Sequence, residues 1–250
     1  MAVEYPHNFA RFYDVLYGYL RNGVDNQFFL HQMALTDGPI LEVGVGTGRF
    51  FVDAFEAGYN VYGIDISPEM LSVLHKKLPN ASQHRVTCQD ILSFSYPFNF
   101  TLILAPFRVM MHVLSIEDQL KALNQVYRYL EPGGRFIFDV FVPDLNQLLH
   151  GLHESVDFDG EYAPGKKLRR IVSTRSDLIH QLIHVHFRLE WEEGGAWIHD
   201  DWKFPMRFYF RYELEHLLAR SKFPEYKMLG DYEGGELNES SREFIVICQK

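Results

Sequence analysis

Three carboxylates and three glycines are spaced along this chain as a ligand site needs them. Glu42 follows the apolar pair Ile40-Leu41, and Val43-Gly44-Val45-Gly46-Thr47-Gly48 comes directly after it. Glycine has no Cβ, so such a turn lets the backbone pass close to a bound molecule. Asp65 ends the run Val61-Tyr62-Gly63-Ile64, and Asp90 sits in Thr87-Cys88-Gln89-Asp90-Ile91. Each acid stands at, or just beyond, the end of a strand-like segment, and in a parallel sheet those carboxyl ends line the ligand crevice. Asp65 lies where a carboxylate would meet a ribose diol, and Asp90 could accept a hydrogen bond from an exocyclic amino group. A negatively lined crevice attracts a cation and repels a pyrophosphate. The glycine spacing agrees: it is G-x-G-x-G, not the G-x-G-x-x-G of dinucleotide binders.

Stepping along the elements that must hold these groups, residues 39–142 alternate between short apolar strands and helical patterns. Strands are expected at 39–43, 60–65, 84–88, 100–105 and 134–142, and helices at 48–57, 67–78 and 116–130. Ser67-Pro68-Glu69 has the form of an N-cap followed by proline at the first helical position. Glu131-Pro132-Gly133-Gly134 ends the third helix and turns the chain into a strand. Such alternation predicts parallel strands with right-handed crossovers. From about residue 152 the period changes to two. Strands at 166–176, 179–193 and 196–208 form an antiparallel unit, with Ile179, Ile183, Val185, Phe187 and Leu189 on one face. A helix at 211–221 and strands near 225–231 and 242–249 complete the main sheet. The expected fold is therefore α/β: a Rossmann-like, seven-stranded, mostly parallel sheet with flanking helices, and an antiparallel β insertion after the fifth strand. By residue, 1–38 is a helical cap, 39–150 the core, 151–210 the insertion and 211–250 the completing segment.

Other groups have plain structural readings beside the chemical ones. His180, His184 and His186 could suggest a metal, but no recognised ligand spacing accompanies them, and an exposed sheet face accounts for them. No metal is expected. The run Trp202-Phe204-Met206-Phe208-Phe210 reads as one buried sheet face. Arg108 could meet an acidic substrate group or form a surface ion pair. Tyr13 and Tyr17, four residues apart, could be a core-facing helical pair.

The chain has 250 residues, of which 47% are hydrophobic, enough for one large core. A net charge of −9 argues against nucleic acid, whose phosphates require a basic surface. Cys88 and Cys248 fall in apolar runs and read as buried free thiols. Neither a secretory signal nor a long apolar span is visible, so no membrane partner and a cytoplasmic setting are expected. The exposed edges of an antiparallel insertion could pair two subunits into a homodimer.

Over nearly its whole length the sequence resembles the class I S-adenosylmethionine-dependent methyltransferases. Among them it is similar to small-molecule enzymes with a β-rich insertion, including sugar-amine N-methyltransferases. The resemblance is carried in order by FARFYDVLYG, ILEVGVGTGRF, VYGIDISPEML, QDILSF, LAPFRVMMHV, LEPGGRFIFDVFVPD and LGDYEGGELNESSREFIVIC. It implies S-adenosyl-L-methionine as cofactor and a small-molecule methyl acceptor. Gly44, Gly46 and Gly48 would lie against the methionine portion, with Glu42 near its ammonium. Asp65 would bind the ribose, Ile66 and Met70 would contact the cofactor beside it, and Asp90 and Ile91 would meet the adenine. Ala105, Pro106 and Phe107 would face the sulfonium, while Tyr13 and Tyr17 close over the cofactor. His112 is the candidate base, since histidine titrates near neutrality. Ala105-Pro106-Phe107-Arg108 replaces the N-P-P-Y or D-P-P-Y of enzymes acting on base amino groups or glutamine amides, which lowers the weight of those substrates. A nicotinamide-dependent oxidoreductase and a non-catalytic S-adenosylmethionine-binding protein remain the alternatives.

Overall fold

The computed structural model describes residues 5–20 and 23–250. Seven strands, β1 Ile40–Val43, β2 Val61–Asp65, β3 Val86–Cys88, β4 Phe100–Ala105, β5 Leu130–Phe141, β10 Glu225–Leu229 and β11 Glu243–Gln249, build the main sheet. Their order is β10-β11-β5-β4-β1-β2-β3. β11 runs antiparallel to both its neighbours, and the remaining pairs are parallel. A parallel sheet is covered on both faces, so its strands are apolar throughout. All four residues of β1 are buried accordingly.

Alternate residues of these strands feed two different cores. Leu41, Val43, Ile103, Phe136 and Phe138 pack against α5 (Ile116–Tyr129) and α7 (Arg211–Arg220) through Leu123, Val126, Leu214 and Leu218. Ile40, Leu102, Leu104 and Ile137 face α2 (Val24–Ala34), α3 (Phe51–Glu56) and α4 (Pro68–His75). The expected cap on α4 is present, the Ser67 hydroxyl accepting from the Met70 N–H at 3.3 Å.

The second sheet is wholly antiparallel: β6 Leu152–Ala163, β7 Lys166–Asp177, β8 Leu182–Glu193 and β9 Ala196–Arg207, in that order. Its inner face, with Leu168, Val185, Leu189, Trp191, Trp202 and Phe204, takes Phe9, Phe12 and Leu16 of α1 (His7–Leu20). The opposite flank of α1 sets Ala10 and Tyr13 on Met70 of α4. Thus α1 joins the two sheets.

Several sequence expectations change. The insertion has four strands, since β6 precedes the three read from periodicity, and a short helix, α6 (Leu145–His150), leads into it. The N-terminal segment forms two helices, and only α1 caps; α2 buries Phe28, Phe29 and Met33 in the core. Ile179 does not share the apolar face: it sits in the β7–β8 turn, 88% exposed. Phe210 leaves the β9 face as the residue preceding α7 and is exposed. Cys88 is exposed at the sheet's edge strand, whereas Cys248 is buried as expected. His180 holds the Asp177 carboxylate within its own turn, and His186 holds Asp201 on the neighbouring strand. No helix among the described residues is long and apolar enough to cross a membrane.

Candidate active site

The strand order reverses between β1 and β4, and loops leaving such a switch point diverge in opposite directions. A cavity of about 480 Å³ opens there. Its floor is the glycine turn. Gly44 and Gly46 have left-handed backbones, φ 70° and 55°, which cost little only without a Cβ. A Cβ on Gly44 would stand 2.4 Å from Val109 Cγ2, while one on Gly46 would come no nearer than 3.5 Å to Met70 Cε and 3.9 Å to the Gly44 carbonyl oxygen. Gly44 therefore lets the loop after β4 close, and Gly46 keeps cavity space open. Gly48 differs from the expectation. Its absent Cβ makes room for Leu74 Cδ1, 2.4 Å away, and it does not line the cavity.

Two backbone amides fix the Asp65 carboxylate. Oδ2 accepts from the Gly46 N–H and Oδ1 from the Ser67 N–H, both at 2.8 Å. Burial raises this carboxyl above its ordinary value, and those amides pull it partly back. Glu42 is 1% exposed. Burial raises it further; Arg49 opposes the shift and Asp65 adds to it. Glu42 Oε2 has no hydrogen-bond partner among the described residues. A buried acceptor so placed costs about 1–3 kcal/mol, which a bound donor would remove.

Asp90 and Ile91 form the opposite wall with Gln89 and Leu92. Asp90 also caps its own turn, Oδ1 accepting from the Leu92 N–H at 2.9 Å, so its capping and pocket readings coexist. Ile66, Met70, Pro106, Phe107 and Tyr13 line the cavity as well. Tyr17 stands behind that lining, its ring centre 4.4 Å from Tyr13 and 5.1 Å from Phe107. Ala105 is fully buried in β4 and makes no part of the wall. Arg108 does form an ion pair, but a half-buried one with Glu243 at 2.9 Å.

His112 ends a 3-10 turn, Val109–His112, that follows β4. It lines the cavity, and its ring lies 5.8 Å from that of Phe204 on β9. Burial pushes its pKa down to about 4. The imidazole is therefore neutral at pH 7, an acceptor of hydrogen bonds but a weak base. Its Nδ1 has no hydrogen-bond partner among the described residues.

Sequence reasoning missed Tyr5, Arg49, Gln89 and the stretch Val113, Leu114, Ser115 and Asp118, all on the cavity wall. Arg49 had a signal, a cation immediately after the glycine turn. Its guanidinium binds Asp25 at 2.7 Å and lies 4.8 Å from the Phe107 ring centre.

Residues 40–134 match the family model described as a methyltransferase domain. An uncharacterized methyltransferase of Bacillus mycoides is 31% identical over 136 residues, 54% of this chain and 56% of the relative. An uncharacterized methyltransferase of Bacillus anthracis gives the same values. The chain thus spans little more than half the length of these curated relatives. The fold extends the likeness to the full chain. An S-adenosylmethionine-dependent methyltransferase of Clostridium acetobutylicum superposes with a TM-score of 0.75 at 20% identity, covering 97% of both chains. DesVI of Streptomyces venezuelae gives 0.75 at 17% identity, covering 97% of this chain and 99% of that one. The sugar N-methyltransferase KedS8 of Streptoalloteichus gives 0.76 at 15%, covering 100% and 94%. Residues 40–134 thus match a methyltransferase domain, and the whole chain shares the fold of these methyltransferases.

Proposed function

We propose that this protein transfers a methyl group from S-adenosyl-L-methionine to a nitrogen or oxygen atom of a small molecule. The single observation that carries this reading is the convergence of Glu42, Asp65 and Asp90 on one cavity around Gly44 and Gly46. The residues fit the cofactor's chemistry. Glu42 offers a buried, unpartnered oxygen to an ammonium group, and the cation would favour its ionised form. Arg49, on the same wall, suits the carboxylate of the methionine portion. Asp65, with both oxygens already oriented by amides, accepts from ribose hydroxyls along its remaining lone pairs. Ile66 and Ile91 supply apolar faces for the adenine, and Asp90 an acceptor for its amino group.

When bound, the cofactor supplies an activated methyl group on a sulfonium. The protein's task is orientation, which in favourable cases supplies about 7–11 kcal/mol. Pro106 and Phe107 form the wall beyond the glycine turn, and Tyr5 and Tyr13 close it from the N-terminal side. The acceptor's N–H or O–H would donate to the neutral imidazole of His112, which orients the attacking lone pair. A small-molecule acceptor is in keeping with the amino pentose methyltransferase CalS10, similar in fold with a TM-score of 0.69 at 14% identity.

Isothermal titration with S-adenosylhomocysteine tests the cofactor, and tight saturable binding is expected. NADH in the same assay is expected to give no heat; the reverse result would move the chain to the oxidoreductases. Replacing His112 by Ala should lower kcat by about 10²-fold or more while leaving S-adenosylhomocysteine affinity near that of the wild type. Equal turnover in a competent acceptor assay would remove His112 from the reaction.

A further inference from the structure

The turn after β4 is folded against its own preferences. Phe107 and Arg108 have φ of 59° and 68°, the left-handed region, yet neither is glycine. A side chain there crowds the following carbonyl, and such a pair persists only where its surroundings hold it.

Two carboxylates do the holding, from adjacent strands. The Phe107 N–H donates to Asp139 Oδ1 of β5 at 2.6 Å, and Arg108 donates to Glu243 Oε1 of β11 at 2.9 Å. On its other side the same turn meets three parts of the cavity. Val109 fills the space a Cβ on Gly44 would need, and the Phe107 ring lies against Tyr17 and under the Arg49 guanidinium. A shift of this turn would therefore reach the glycine floor, the α1 roof and Arg49 together.

Asp139 is a costly choice for a purely structural filler. It is fully buried, and it faces Glu243, Arg108 and the Tyr232 hydroxyl besides the Phe107 amide. Burial, with the second carboxylate beside it, pushes its pKa up to about 6. An apolar residue would fill the same volume without that penalty, but could not accept the amide of a left-handed residue.

Resting on the methyltransferase reading of the cavity, we propose that Asp139 is a positioning residue for the cofactor site. It anchors the left-handed turn Phe107–Arg108, and so sets Pro106 and Phe107 in the cavity wall, without touching either reactant.

The test is S-adenosylhomocysteine affinity and melting temperature at pH 7.5 for the wild type, Asp139→Ala and Asp139→Asn. The Ala variant should bind about ten-fold or more weakly, as expected for losing a charge-assisted hydrogen bond that orders a wall. The Asn variant keeps an oxygen for the Phe107 amide, so it should bind within about three-fold of wild type and melt no lower. Wild-type affinity in a folded Ala variant overturns the proposal, as does an Asn variant that loses as much as Ala. If the Ala variant does not fold, Arg108→Gly carries the test. It removes the ion pair and makes the turn easy, and it should weaken binding several-fold; unchanged affinity overturns the proposal. A wild type that binds no S-adenosylhomocysteine overturns the reading of the cavity and the positioning role with it.

Discussion

Gly44 and Gly46 are two residues apart and share a left-handed backbone, yet substitution should affect them differently. A methyl on Gly44 would collide with Val109, whereas one on Gly46 would make only ordinary van der Waals contacts, with Met70 Cε at 3.5 Å the nearest. Gly46→Ala should cost about 1–2 kcal/mol of stability from backbone strain alone, and should weaken S-adenosylhomocysteine binding by a larger factor. Gly44→Ala should lower the melting temperature more, because the β4 turn must move. Paired calorimetry and thermal melts separate the two, and identical melts would contradict the contact geometry. These glycines, with Glu42, Asp65 and Asp90, were legible in the sequence because their spacing follows strand ends. Tyr5 was not, because it reaches the cavity by packing its ring, tilted, on Trp202, 4.3 Å between ring centres, a contact no local pattern encodes. Gly48 misled for a related reason. Its motif position is shared with the others, but here its missing side chain serves helix packing.

Among the elements, α1 links the second sheet to the cavity, burying Phe9, Phe12 and Leu16 on one side and Ala10 and Tyr13 on the other. Its apolar flank is seated on the second sheet, where Phe12 packs with Tyr162 and Trp191. Burying an aromatic of this kind is worth about 3–5 kcal/mol when it is truncated. Phe12→Ala should therefore loosen α1, expose it to limited proteolysis and weaken S-adenosylhomocysteine binding, although Phe12 does not line the cavity. Unchanged protease sensitivity and affinity would show that α1 is held by other contacts. The parallel strands could be read from sequence because burial on both faces leaves continuous apolar runs. β6 could not. Leu152–Ala163 carries Glu154, Asp157, Asp159 and Glu161 along a mostly exposed edge, so neither apolar alternation nor β-propensity marks it. The six-residue α6 is too short for periodicity, and only its Asp144 cap betrays it.

Across the whole molecule, two buried groups set opposing responses to acid. Asp139 is raised from 3.8 to about 6, so the folded protein holds that proton more tightly than the unfolded chain. The resulting stability is complete below the ordinary carboxylate value and is lost as pH rises through 6. His112 is lowered from 6.5 to about 4; here acidification between those values favours the unfolded chain. A shift of two units corresponds to about 3 kcal/mol, so the effects are comparable and partly cancel between pH 4 and 6. Asp139→Asn removes one of them. The variant's melting temperature should exceed wild type at pH 8 by several degrees, and the difference should shrink through pH 6 and vanish below about pH 4. A difference that stays constant with pH would show that Asp139 is ionised in both states throughout.

The antiparallel sheet departs from the main one after β5 and rejoins it before α7, so none of its ladders is shared with the seven-stranded sheet. Trp202 and Phe204 from that sheet stand behind Tyr5 and His112, whereas Gly46, Asp65 and Asp90 belong to the parallel half. On the proposed reading, variation in the detour would change the cavity wall behind Tyr5 and His112 while Gly46, Asp65 and Asp90 stay on the parallel sheet. A transplant of residues 152–207 between homologues is the corresponding laboratory operation.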